Sequence, residues 1–151
     1  MIRLIRFCYD LVARAGDLFQ SPFLLIIRLY WGYQFFLTGK GKLGNLDGVT
    51  EYFTTLGLPM PKFQAILAAS TECFGGLLLL VGFFSRIVSI PLIITMIVAY
   101  AVSEQEALHK LWEDQDPFFA AKPFTFLMAS LIIFIFGPGA FSIDRWIQKR
   151  A

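Results

Sequence analysis

Four stretches of the chain are almost continuously apolar: Phe23 to Leu37, Phe63 to Phe84, Ile87 to Val102 and Pro123 to Phe136. Each approaches the roughly 17 to 25 residues that cross a bilayer as a helix, the first and last being short unless flanking residues join them. Membrane strands would alternate in polarity over segments of about ten residues, which these runs do not. An open sheet cannot satisfy its backbone in hydrocarbon. The pattern therefore predicts an all-α membrane protein, a four-transmembrane-helix bundle over residues 21–144. Ahead of it, Arg3, Arg6, Asp10, Arg14 and Asp17 recur three or four residues apart, so a helix would gather them on one stripe above an apolar face. Residues 1–20 are thus expected to form an N-terminal amphipathic interfacial helix, retained rather than cleaved. Ser21 and Pro22 read as cap and first residue of span one.

Between spans one and two, Thr38 to Lys62 reads as a Gly- and Pro-rich loop with a short surface helix near Val49 to Thr55. Gly82 to Arg86 forms a tight turn between spans two and three. In the third loop, Ala107, Leu108, Leu111 and Trp112 fall at helical spacing among charges, placing Trp112 as an interfacial anchor. Residues 145–151 make a basic tail.

Composition supports the membrane reading: of 151 residues, 57% are hydrophobic and only 16% charged, against about a quarter charged in soluble domains. Four spans consume nearly the whole chain and leave no room for a soluble catalytic domain. The termini and second loop carry Arg3, Arg6, Arg14, Arg86, Arg145, Lys149 and Arg150; the opposite side carries Lys40, Lys42, Lys62, Lys110 and Lys122. Since orientation follows Lys and Arg, both termini are expected in the cytoplasm. The net charge of +2 points to no nucleic-acid partner.

Within the spans the ionisable acid and base are Arg28 and Glu72. Charges at membrane depth usually face the bundle interior and pair. Small residues let helices approach closely in lipid, and they share the faces of these charges: Gly32 and Gly39 follow Arg28, while Ala65, Ala68, Ala69, Gly75 and Gly76 flank Glu72. The two faces are expected to meet with Glu72 as counter-ion of Arg28. With Gln34 and Tyr100 nearby in the bundle, such a pair could hold a quinone headgroup or move a proton; the alternative is that it only sets helix register.

Other chemistry is poorly supported. His109 is the single histidine and falls in a loop, and Cys8 and Cys73 are too separated in the expected topology to pair. An iron–sulfur cluster takes about four ligands, and no glycine fingerprint or phosphate loop is present. No metal site and no tightly bound cofactor are expected.

The succession of Arg28, GKGKL at Gly39 to Leu43, FTTLGLPMP ending at Pro61, Glu72 with Gly75 and Gly76, GFFSR at Gly82 to Arg86, and FGPGAFSID from Phe136 to Asp144 resembles the DoxX family of small bacterial four-helix membrane proteins. The match covers Pro22 to Asp144. The resemblance implies a multi-pass bacterial inner-membrane protein of the kind often encoded beside redox enzymes; the family is named for a subunit of an archaeal thiosulfate to quinone oxidoreductase. It also implies that Arg28, Lys42, Glu72, Arg86 and Asp144 are the polar family positions. Lys42 reads alternatively as a snorkelling lysine, Arg86 as a positive-inside turn residue, and Asp144 as the cap of a short C-terminal helix. Gly137, Pro138 and Gly139 shape the exit of the last span.

The expectation is a membrane subunit or accessory of a quinone-linked redox system, an oxidoreductase component without a redox cofactor of its own, with a redox enzyme as partner. The alternatives are a small-solute carrier or permease using the same charges, which four spans and no visible repeat disfavour unless the chain forms a homo-oligomer, or a scaffold that recruits a redox enzyme.

Overall fold

The computed structural model describes residues 2–109, 112 and 115–150, and every regular element among them is helical. Lys110, Leu111, Glu113 and Asp114 lie outside the described residues, as do the side chains of Arg3 and Cys8. The order is α1 (Ile2–Gly44), α2 (Leu46–Thr55), α3 (Pro61–Val81), α4 (Ser85–Ser103), α5 (Gln105–His109), α6 (Asp116–Ala120), α7 (Lys122–Phe136) and α8 (Ile143–Gln148). Helices α3 and α4 are each long and apolar enough to cross a membrane, while α7 is apolar but only 15 residues long.

Two boundaries differ from the sequence expectation. Pro22 does not start a helix but sits inside α1, which runs unbroken for 43 residues. Proline deletes its own N–H bond to the carbonyl four residues back. That loss falls next to a stretch, Leu11 to Gln20, in which every residue is exposed and no packing redirects the chain. Ser21 does not cap; its hydroxyl accepts the N–H of Ala140 at 3.3 Å. At the other end α1 continues through the expected loop to Gly44, where Asn45 takes over as cap of α2 by accepting the N–H of Gly48 at 3.3 Å. What remains of the loop is Leu56 to Met60, with Gly57 at φ 73° and Met60 at φ 51°.

Helices α1 and α3 form the tightest contact, and glycine makes it possible. A Cβ at Gly39 would lie 2.6 Å from Cys73 Cα and 2.8 Å from the Ala69 carbonyl oxygen; one at Gly76 would lie 2.7 Å from the Gly32 carbonyl oxygen. The small-residue faces therefore meet as expected. The pairing is antiparallel, since Gly32 faces Gly76 and Leu80 whereas Gly39 faces Ala69 and Cys73. Gly75 receives the Leu92 side chain of α4. Phe35, Leu79, Val88, Leu92, Met96 and Ile133 then close a core shared by α1, α3, α4 and α7.

Candidate functional site

Arg28 and Glu72 are both buried, at 3% and 1% exposure, but each has partners other than the other. The antiparallel register explains why. It puts Arg28 beside Gly82, where a Cβ would sit 2.8 Å from the guanidinium carbon. Glu72 lies ten residues earlier on α3, roughly 15 Å along the helix at 1.5 Å per residue. With α1 continuous through Pro22, Arg28 lies level with the α3–α4 turn, at the end of the bundle and away from Glu72.

There the arginine fastens the C-terminal segment. Its Nη1 donates to the Pro138 carbonyl at 2.9 Å and its Nη2 to the Phe141 carbonyl at 2.5 Å. Asp144 completes the junction. Its carboxylate accepts the N–H of Phe84 at 2.7 Å and of Ser85 at 2.9 Å, and its own N–H donates to the Gly82 carbonyl at 3.0 Å. Asp144 therefore caps α4, not the C-terminal helix as expected; α8 is capped by Ser142, which accepts the N–H of Arg145 at 3.2 Å. Phe84 sits at φ 49°, a left-handed conformation that this carboxylate helps hold. Arg86 is exposed and donates to the Ile135 carbonyl at 3.3 Å. Arg28, Arg86, Pro138 and Asp144 thus form one polar junction that ties the chain's end to the α3–α4 turn.

Glu72 instead pairs with Lys42, Oε1 to Nζ at 2.6 Å. The lysine side chain is 35% exposed and the glutamate side chain only 2%. Glu72 Oε2 is buried without a hydrogen-bond partner. The pair borders a groove of about 550 Å³ between α2, α3 and α4, walled by apolar side chains including Val49, Phe53, Leu67, Ile94 and Val98. Asn45, Tyr52 and Gln64 also line it. The geometry is that of a mostly apolar cleft with a few convergent polar groups, which suits an amphiphile with a polar head.

Of the five binding candidates, the fold brings together Lys42 and Glu72. Arg28 is at the opposite end. Tyr100 is buried against α6, its hydroxyl donating to the Phe118 carbonyl at 2.7 Å and its ring stacked on Phe118 at 4.9 Å. Gln34 is half-buried and does not line the groove. The contribution of α2 was missed as a binding wall, although Val49, Tyr52, Phe53 and Leu56 at positions i, i+3, i+4 and i+7 carry the signal of one apolar helix face.

The DoxX family model matches residues 23–105. The chain is similar to "Inner membrane protein YphA" of Escherichia coli (strain K12), 31% identical over 128 residues, covering 81% of this chain and 88% of that protein. It is 28% identical over 127 residues to "Putative oxidoreductase CatD" of Bacillus subtilis (strain 168), covering 83% and 87%. It is 30% identical over 140 residues to "Uncharacterized membrane protein Rv3486" of Mycobacterium tuberculosis (strain ATCC 25618 / H37Rv), covering 86% and 84%. No solved structure gives a significant match. A chain whose regular elements are all helical among the described residues, two of them fit to span a membrane, matched by that family model over more than half its length and by inner-membrane relatives along most of it, belongs to the DoxX family of membrane proteins.

Proposed function

We propose that the chain crosses the membrane four times, through α1 beyond Pro22 and through α3, α4 and α7, with the exposed N-terminal part of α1 lying along the headgroup layer. On this reading the groove at Lys42 and Glu72 binds the head of a quinone-class amphiphile for a redox partner. The observation that carries it is the ion pair itself: a nearly fully buried carboxylate with one unpartnered oxygen, held by a lysine a third exposed beside an apolar cleft. Ionisable groups at membrane depth are functional candidates by default. Lys42 offers donors to a carbonyl oxygen of the head, Glu72 Oε2 can accept a hydrogen bond from a hydroxyl, and the walls from α2 and α4 suit a ring and the start of a tail. A bound quinone would supply two-electron, two-proton chemistry, with electrons delivered by the partner. The oxidoreductase name of CatD supports the redox setting.

The test is quinone retention. Protein in nanodiscs containing a trace of a short-chain quinone is isolated, and the quinone kept per protein is measured by chromatography. Retention above empty nanodiscs is expected for the wild type, with a loss of about tenfold in Glu72→Gln and Lys42→Met, the worth of one charge-assisted hydrogen bond. Retention at the level of empty nanodiscs, or equal in all three proteins, overturns the reading. Solute flux in liposomes holding this protein alone would favour a carrier instead.

A further inference from the structure

At the end of the bundle opposite the quinone groove, a second cavity of about 730 Å³ lies between α1, the α3–α4 turn, the loop after α7 and α8. Ile87, Phe136 and Ile147 supply apolar side chains to its lining and Arg86 and Arg145 supply charge, together with the Gly137 to Ala140 segment. Asp144 also borders the cavity, but both its carboxylate oxygens are engaged by the N–H groups of Phe84 and Ser85. Arg86 commits one Nη2 donor to the Ile135 carbonyl and keeps the rest of its guanidinium available, and the Arg145 side chain makes no hydrogen bond among the described residues. Both arginines are exposed. The elements bordering the space are helix ends, since α3 stops at Val81, α4 starts at Ser85 and α7 stops at Phe136. In a membrane protein such ends lie at headgroup depth. A cavity there whose lining holds both apolar side chains and two arginines matches an amphiphile with a phosphate at its polar end.

We propose that this cavity is a binding site for the headgroup of an anionic phospholipid, with Arg86 and Arg145 as the phosphate ligands. The apolar lining distinguishes a lipid from free phosphate: a soluble anion would use the arginines and leave Ile87, Phe136 and Ile147 uncovered. Basic pockets between membrane helices recognise anionic lipids in this way. Arginine suits the role because its planar fork can contact two phosphate oxygens at once. The fold assembles the site from Arg86 in a turn and Arg145 near the C-terminus, 59 positions apart in the sequence. The site is independent of the quinone reading, sharing no residue with the Lys42–Glu72 groove.

The experiment is native mass spectrometry of the full chain released from mild detergent after incubation with equal amounts of phosphatidylglycerol and phosphatidylcholine of the same acyl length. The wild type should carry phosphatidylglycerol in preference. Each arginine contributes about fivefold near an anionic surface, so Arg86→Gln/Arg145→Gln should lose roughly thirtyfold of that preference. Arg145→Gln alone should lose about fivefold while melting at the wild-type temperature. Phosphatidylcholine adducts should be unchanged. Equal binding of the two lipids by the wild type, or a preference unaffected by the double substitution, overturns the proposal. So does displacement of the lipid by millimolar inorganic phosphate, which would assign the site to a soluble anion.

Discussion

The Lys42–Glu72 pair is asymmetric, and the asymmetry has a measurable consequence. Removing one partner of a buried ion pair typically costs about 3–5 kcal/mol, because a charge is stranded away from water. In this pair only the carboxylate is stranded, since the glutamate side chain is 2% exposed and the lysine side chain 35%. Lys42→Met leaves Glu72 with neither oxygen partnered and should cost about 3 kcal/mol, the low end of the range because the lysine already shares its charge with the surroundings. Glu72→Gln leaves an ammonium on a flexible stem that can turn outward, so its cost should be about 1 kcal/mol. The double variant strands no charge and should cost about 1.5 kcal/mol, a coupling of about 2.5 kcal/mol in the cycle. Steric trapping of the unfolded state in bicelles measures all four proteins. Equal losses in the two single variants, or a double variant showing their sum, would refute the argument that the stranded carboxylate sets the energetics.

The helix contact and the C-terminal junction give further expectations. Gly39→Ala should destabilise by about 3 kcal/mol, since its Cβ would meet Cys73 Cα and the Ala69 carbonyl at under 3 Å, whereas Gly41→Ala, with nothing within 4 Å, should be neutral or stabilise by up to about 1 kcal/mol; thermal melts of the two variants decide it. Arg28→Lys keeps the charge but replaces a fork by a single nitrogen, so it should forfeit one of the carbonyl bonds to Pro138 and Phe141 and about 2 kcal/mol. Limited proteolysis should then cut more readily beyond Phe136, and an unchanged cleavage pattern would count against the fastening role.

Much of the architecture was legible in the sequence because lipid leaves few choices: continuous apolar runs at membrane length have to be helices, and the apolar segments from Phe63 and Ile87 became α3 and α4. The small-residue stripes were equally readable, since Gly39 and Gly76 admit a neighbouring backbone that a Cβ would exclude. The short helix near Val49 was visible in its apolar spacing. Which charge meets which was not. Both candidate faces pointed inward, and the choice between Arg28 and Lys42 as partner of Glu72 turned on an axial offset of several helical turns. That offset depends on how α1 and α3 slide against each other, and on Pro22 falling within a helix that no local signal required to continue. Asp144 makes the same point, since its residue type announced a cap but only the folded chain could supply the helix start, 60 positions back at Phe84. Local sequence determined the helices and their sticky faces through short-range sterics and solvation. The register of one helix on another decided the ion pair, the groove and the arginine cavity, because contacts between distant segments are set by the packing of whole surfaces.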